Sequence, residues 1–196
     1  MILGAVLAGG ASSRMGVDKA SVLVGGRSMV ELVTGALGAV ADRVVIAGRS
    51  SSVSGFAGVP DPVSGRVGPL AGLAAALSVA RDCGAEAVIV VAVDQPFVRP
   101  ETLARLVERH AGQAVVPSAD GVRQVTCAVY PTSWRPEARA ELETGGSIQS
   151  LLDRMPHATV PPEEWAARGE DGRSWFSVDD AGALAAGLER FGSVLE

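Results

Sequence analysis

Cysteine is scarce in this chain. There are two, Cys83 and Cys127, and no Cys-x-x-Cys pair. Neither a disulfide framework nor a cysteine zinc site is implied, and this usage suits a reducing, cytoplasmic setting. Long apolar runs are also missing. The longest, Ala85 to Val93, falls far short of the roughly 20 residues that span a bilayer. The chain enters an apolar strand at once, so no signal peptide and no membrane association are expected. There is no basic tract, and the net charge is −5. Both argue against a broad phosphate-facing surface for nucleic acid. An anionic substrate must therefore be met by local cations and a metal. No Ser-His-Asp or Cys-His constellation is apparent; His110 and His157 read as surface or structural residues. The 196 residues fit one domain, taken as 1–196, large enough to bury a core without disulfides.

What is present is concentrated near the N-terminus. Ile2 to Leu7 is an apolar run that reads as a buried strand. Ala8-Gly9-Gly10-Ala11-Ser12-Ser13 then forms a loop of small residues, and two cations follow, Arg14 and Lys19. Glycine lacks a Cβ, so Gly9 and Gly10 let the backbone approach a ligand closely. Successive N–H groups in such a turn make an anion-binding concavity. Arg14 and Lys19 add full positive charge for a polyphosphate. A plain glycine turn has no need of two spaced cations. The P-loop is excluded, because Ala20 follows Lys19 where Ser or Thr should stand. The dinucleotide fingerprint Gly-x-Gly-x-x-Gly is excluded by the spacing of Gly9, Gly10 and Gly16.

Strand and helix signals alternate along the chain. Extended segments are expected at Ala20–Val24, Arg43–Ala47, Gly58–Val59, Ala87–Val93, Ala114–Val116 and Val125–Tyr130. Ser28 and Glu31 form a capping box that starts a helix running to about Val40. Pro69 and Gly84 bracket a second helix. Pro100 opens a third, ending near Gly112. A last helix covers Asp180 to Phe191, and Val160 to Arg173 reads as a loop. This order predicts an α/β fold: a doubly wound, mostly parallel sheet with helices on both faces. Asp120-Gly121 is a hairpin signal joining Ala114–Val116 to Val125–Tyr130, so one antiparallel pair is expected there.

Ligands of such sheets bind beyond the carboxyl ends of the strands. Asp94 stands at such an end, where a charge is costly unless it is paired or bound to a cation. A carboxylate there can hold Mg²⁺, cap a helix or make a loop salt bridge. Asp61 precedes a loop that reaches Gly68-Pro69, and a helix start there leaves N–H groups for a purine edge or a phosphate.

Leu7-Ala8-Gly9-Gly10-Ala11-Ser12-Ser13-Arg14-Met15-Gly16-Val17-Asp18-Lys19 resembles the signature loop of nucleotidyltransferases. The double glycine is most similar to that of molybdenum cofactor guanylyltransferases. The resemblance continues through Asp61, Gly68-Pro69-Leu70-Ala71-Gly72-Leu73 and Val93-Asp94-Gln95-Pro96-Phe97. It implies a Rossmann-like nucleotidyltransferase fold and transfer of GMP from GTP to the phosphate of molybdenum-loaded molybdopterin. By resemblance, Arg14, Lys19 and Asp94 are catalytic and Asp94 is the Mg²⁺ ligand. Leu7, Ala8, Gly9, Gly10, Lys19, Asp61, Gly68 and Asp94 would bind the nucleotide. Transient contacts with cofactor-synthesis or insertion proteins are also implied. The chain departs from the family in three places. Ile46 stands where an asparagine is frequent. Gly145-Gly146-Ser147-Ile148 lies where a basic residue often serves the acceptor. Ser177-Val178-Asp179-Asp180 replaces an Asn-x-Asn run, and Asp179 is either a second metal ligand or, as the pattern slightly favours, a helix cap. Another nucleotidyltransferase, using CTP or UTP with molybdopterin or a sugar or small phosphate as acceptor, or a nucleotide-binding module without catalysis, is the alternative.

Overall fold

Side chains along β1 (Ile2–Leu7) alternate between two cores. Ile2 and Val6 join one apolar cluster, and Leu3, Ala5 and Leu7 join the other. β6 (Ala87–Ala92) behaves the same way, with Ile89 and Val91 on one face and Val88 and Val90 on the opposite one. Strands buried on both faces read as continuous apolar runs, as expected of a parallel sheet covered by helices. The computed structural model describes residues 1–9, 18–63 and 68–192.

Past β1, a 3₁₀ turn (Lys19–Ser21) leads into a two-stranded ribbon of β2 (Leu23–Val24) and β3 (Arg27–Ser28). Next come α1 (Met29–Gly38), β4 (Arg43–Ala47), β5 (Ala57–Val59) and α2 (Pro69–Asp82), and then β6. α3 (Pro100–Arg109), β7 (Ala114–Ala119), β8 (Val122–Arg123) and β9 (Cys127–Pro131) follow. α4 (Arg135–Glu143), α5 (Ile148–Arg154), β10 (His157–Val160), α6 (Pro162–Ala166) and α7 (Ala181–Phe191) complete the described chain.

The main sheet has the order β10-β7-β9-β6-β1-β4-β5, with β8 paired to β7. β1 is parallel to β4 and to β6, and β5 is parallel to β4. One face carries the packing of α1, α3 and α7 through Met29, Val33, Leu37, Leu103, Leu106 and Phe191. The opposite face takes α2, α4 and α5 through Leu70, Leu73, Leu77, Ala138, Leu142 and Leu151. Each fully buried Leu contributes roughly 1.5–3 kcal/mol of transfer free energy, so α2 is held by its leucine stripe. The capping box forms as expected: Ser28 Oγ accepts the Glu31 N–H, and Glu31 accepts the Ser28 N–H at 2.8 Å.

The α/β class and the helix-covered sheet agree with the sequence pattern. Antiparallel pairing is wider than expected. The Asp120-Gly121 hairpin joins β7 to β8, with φ of 50° and 75° at its two turn residues. β9 runs antiparallel to β7, which is the pair expected, and also to β6. Two local expectations fail. Lys19–Ser21 is a 3₁₀ turn instead of an extended start, because Asp18 caps it by accepting the Ala20 N–H. Residues 162–166 form a helix in the segment read as a loop; Pro161 and Pro162 start it, and Trp165 buries itself to hold it.

Candidate active site

β1 is the point at which the sheet is wound in two directions. The chain leaves it toward β4 and β5 on one side, and α2 returns it to β6 on the other. The carboxyl ends of these four parallel strands meet at one edge, where doubly wound sheets bind ligands. Gly9 follows β1, Gly48-Arg49 follows β4, Asp61 follows β5 and Asp94 follows β6.

The strand ends meet closely because two glycines face each other. Gly48 has φ of 89°, and a Cβ there would lie 2.3 Å from Gly9 Cα and N. A Cβ on Gly9 would lie 2.8 Å from Asp61 Oδ2 and 3.1 Å from Gly48 Cα. Asp61 therefore sits against the Gly9 backbone. Burial alone pushes its carboxyl above the ordinary aspartate range. Its Oδ1 is buried with no hydrogen-bond partner among the described residues.

Lys19 lies across the edge from this contact. Its Nζ is 3.0 Å from Asp94 Oδ2 and 2.5 Å from Asp179 Oδ1. Burial would lower the lysine pKa, but the hydrogen bonds to Asp179 and then Asp94 outweigh it, and the net shift is upward. Lys19 is thus a firmly charged ammonium between carboxylates brought from β6 and from the C-terminal segment. The Val178 N–H donates to the Asp94 carbonyl at 2.7 Å, which seats that segment on the end of β6.

The sequence slightly favoured Asp179 as a helix cap. The cap is its neighbour: Asp180 Oδ1 accepts the Ala183 N–H at 2.8 Å and starts α7. Asp179 is left to face Lys19. Its segment is fastened by a buried carboxylate. Glu170 Oε2 accepts from Thr102 Oγ1 at 2.6 Å and Ser174 Oγ at 2.5 Å, and Glu170 Oε1 accepts the Gly172 N–H at 2.9 Å.

Gly9, Lys19, Arg49, Asp94, Trp175 and Asp179 line one cleft of about 360 Å³, whereas Asp61, behind Gly9, lies outside its walls. Leu7 and Ala8 also line it. Gly68 instead lines an adjoining hollow of about 520 Å³ with Leu70, Val125 and Ile148. Pro69 borders both spaces. Gly68 has φ of 71°, and α2 begins after it with no side-chain cap. Arg14 and Gly10 lie outside the described residues.

Among the described residues, no group of three or more His, Cys, Asp or Glu could hold a metal unaided. Asp94 and Asp179 nevertheless supply two hard oxygen donors converging on one point. That set fits Mg²⁺, which uses one or two carboxylates together with substrate phosphates. Among the described residues, no helix is long and apolar enough to cross a membrane.

Comparison with known proteins gives the chain a family. The model of the MobA-like NTP transferase domain matches residues 4–159. The chain belongs to that family. It is 34% identical over 148 residues to the molybdenum cofactor guanylyltransferase of Cereibacter sphaeroides, covering 74% of this chain and 76% of the relative. Its fold is similar to that of molybdopterin-guanine dinucleotide biosynthesis protein A from Archaeoglobus fulgidus, at a TM-score of 0.80 and 24% identity over 98% of this chain and 100% of that one. It is also similar to 2-C-methyl-D-erythritol 4-phosphate cytidylyltransferase from Thermus thermophilus, at a TM-score of 0.68 and 20% identity over 97% of this chain and 98% of that one.

Sequence reasoning missed several cleft residues: Asp18, Arg49, Gln124, Thr126, Trp175 and Ser177. Asp18 and Arg49 had a local signal, since one precedes Lys19 and the other follows a strand-ending glycine. Gln124 and Thr126 had none, because only the pairing of β9 with β6 carries them to this edge.

Proposed function

We propose that this protein transfers GMP from GTP to the phosphate of molybdopterin carrying molybdenum, releasing pyrophosphate. The observation that carries this reading is the convergence of Lys19, Asp94 and Asp179 beside Gly9 at the switch point of the sheet. The 34% identity to a molybdenum cofactor guanylyltransferase supports the choice of reaction.

In the reaction an acceptor phosphate oxygen bonds to the α-phosphorus of GTP. The bond from that phosphorus to the bridging oxygen breaks, and its electron pair leaves with pyrophosphate. No covalent protein nucleophile is required; positioning and charge neutralisation do the work. Lys19 holds the triphosphate and stabilises the departing charge, with Arg14 assigned the same role. Asp94, with Asp179 beside it, would hold Mg²⁺, which when bound neutralises phosphate charge and polarises the α-phosphorus. The backbone at Leu7, Ala8 and Gly9 packs against the nucleotide. Asp61 brings an unpartnered carboxylate oxygen suited to the adjacent N–H donors of guanine, which adenine and cytosine do not present together. A cytoplasmic location and transient contacts with cofactor-synthesis or insertion proteins accompany this role.

The test is pyrophosphate release with GTP, CTP, UTP or ATP, Mg²⁺ and molybdenum-loaded molybdopterin. Turnover should require GTP, with discrimination on the order of 10²-fold or more against CTP. Equal turnover with CTP would instead make this a cytidylyltransferase for the same acceptor. No turnover with any nucleotide would leave a binding module.

A further inference from the structure

Arg49 has no role in the mechanism above, yet it makes a two-pronged ion pair in the wall of the cleft. Its guanidinium meets the Asp18 carboxylate in a two-pronged pair, Nη1 to Oδ2 at 2.7 Å and Nη2 to Oδ1. Asp18 Oδ1 also accepts the Ala20 N–H at 3.1 Å and so caps the 3₁₀ turn that begins at Lys19. The Arg49 hydrogen bonds hold the Asp18 carboxyl below its ordinary range, and the same pair pushes the arginine further up. Arg49 is itself fixed at its root. Its N–H and that of Gly48 both donate to the Val59 carbonyl, at 3.2 and 2.9 Å, so the residue stands on the joined ends of β4 and β5.

We propose that Arg49 is a positioning residue for Lys19, acting through Asp18. The turn that presents the ammonium is clamped from two directions. On the β4 side Arg49 grips the carboxylate one residue before Lys19. On the β6 side Asp94 and Asp179 receive the Lys19 ammonium. A long, flexible lysine needs such a clamp, because its point charge must stay in register with a triphosphate across turnovers. A planar, bidentate Arg–carboxylate pair restricts direction as well as distance, which a single hydrogen bond does not. Lys19 is the only lysine in the chain, so no neighbouring ammonium can substitute if the turn drifts.

The proposal rests on the assigned role of Lys19, and the experiment separates the two. Arg49→Ala should lower kcat/KM on the order of 10²-fold, since displacement of about 1 Å at a phosphoryl site has that cost. Asp18→Asn keeps a capping oxygen but removes the charge; it should lose as much as Arg49→Ala while the turn stays capped. Lys19→Ala combined with Arg49→Ala should be no worse than Lys19→Ala alone, within about threefold, because the two residues act as one unit. Multiplying losses would mean that Arg49 touches the nucleotide independently and would overturn the proposal. A second readout needs no substrate. An amine-reactive ester labels only Lys19 and the N-terminal amine, which peptide mapping distinguishes. Lys19 should be labelled several-fold faster in Arg49→Ala and Asp18→Asn than in wild type. Unchanged labelling in both variants would refute the clamp, whatever reaction the enzyme proves to catalyse. Faster labelling with no transfer in wild type would instead support the clamp and remove the proposed reaction.

Discussion

The contact between Gly48 and Gly9 permits a sharp test of how the site is built. In Gly48→Ala the new methyl group would sit 2.3 Å from two backbone atoms of Gly9. No flexible side chain can yield there, so the ends of β1 and β4 must separate. The residue also has φ of 89°, and holding alanine in that region costs about 1–2 kcal/mol. Forcing extra volume into a packed contact adds about 1–3 kcal/mol. The sum is about 2–5 kcal/mol, and for a chain of this size each kcal/mol lowers Tm by about 2–4 °C. A fall of roughly 4–20 °C is therefore expected by calorimetry. Gly55→Ala is the control. Gly55 has φ of 83°, but nothing lies within 4 Å of its Cβ position. It carries the backbone cost without the collision, and its Tm should fall by only about 2–8 °C. Activity should separate the two more strongly: a loss on the order of 10²-fold in kcat/KM for Gly48→Ala and almost none for Gly55→Ala. Equal effects of the two substitutions on Tm and on kcat/KM would refute the reasoning, because the close approach of the strand ends would then have no consequence.

Asp94→Ala should abolish Mg²⁺-dependent turnover while metal-free nucleotide binding survives, as read by Mg²⁺ titration of pyrophosphate release beside calorimetry. Asp179→Ala should lower turnover with little change in Tm. Asp180→Ala should do the reverse, costing about 1 kcal/mol of cap stability with turnover nearly unchanged. Asp61→Asn should stabilise the protein while weakening GTP binding. Burial raises the Asp61 pKa, so the folded protein holds this proton more tightly than the unfolded chain does. The group's contribution to stability therefore falls as pH rises from the ordinary aspartate range through the raised value. The Tm advantage of Asp61→Asn should be present at pH 7 and vanish below about pH 4. An unchanged difference between those pH values would show that burial does not penalise the charge.

The parts of the site that were legible in the sequence are those set by local chemistry. The strand Ile2–Leu7, the capping box at Ser28 and Glu31, the proline start at Pro69 and the charge ending an apolar strand at Asp94 each depend on near neighbours. The fold rule for doubly wound sheets then places Lys19 and Asp94 at one edge, and their Nζ–Oδ2 separation of 3.0 Å agrees with it. What sequence could not supply is long-range. Asp179 and Asp180 are adjacent aspartates before a helix, with the same capping chemistry. Only the register fixed by the Val178–Asp94 hydrogen bond decides which one faces Lys19. The antiparallel pairing of β9 with β6 left no local mark either, because β9 is as apolar as β6; only its pairing with β7 was signalled, by Asp120-Gly121.

The family match ends at residue 159, just before β10 closes at Val160. Asp179, Ser177 and Trp175 all come from beyond that point, and α7 follows them. Strand pairing does not hold this stretch. It is attached through Glu170 to Thr102, through Ser174 Oγ to the Arg99 N–H, and through Val178 to Asp94. Apolar packing of Trp165, Val178 and Phe191 also seats it on one face of the sheet, and its joint lies at the sheet's rim, so the segment is exchangeable as one unit. A chimera exchanging everything after Val160 with a relative would keep Gly9, Lys19 and Asp94 and replace the second carboxylate and one wall of the cleft. Substrate preference could be rewired from that side while the strands that assemble the other side stay untouched.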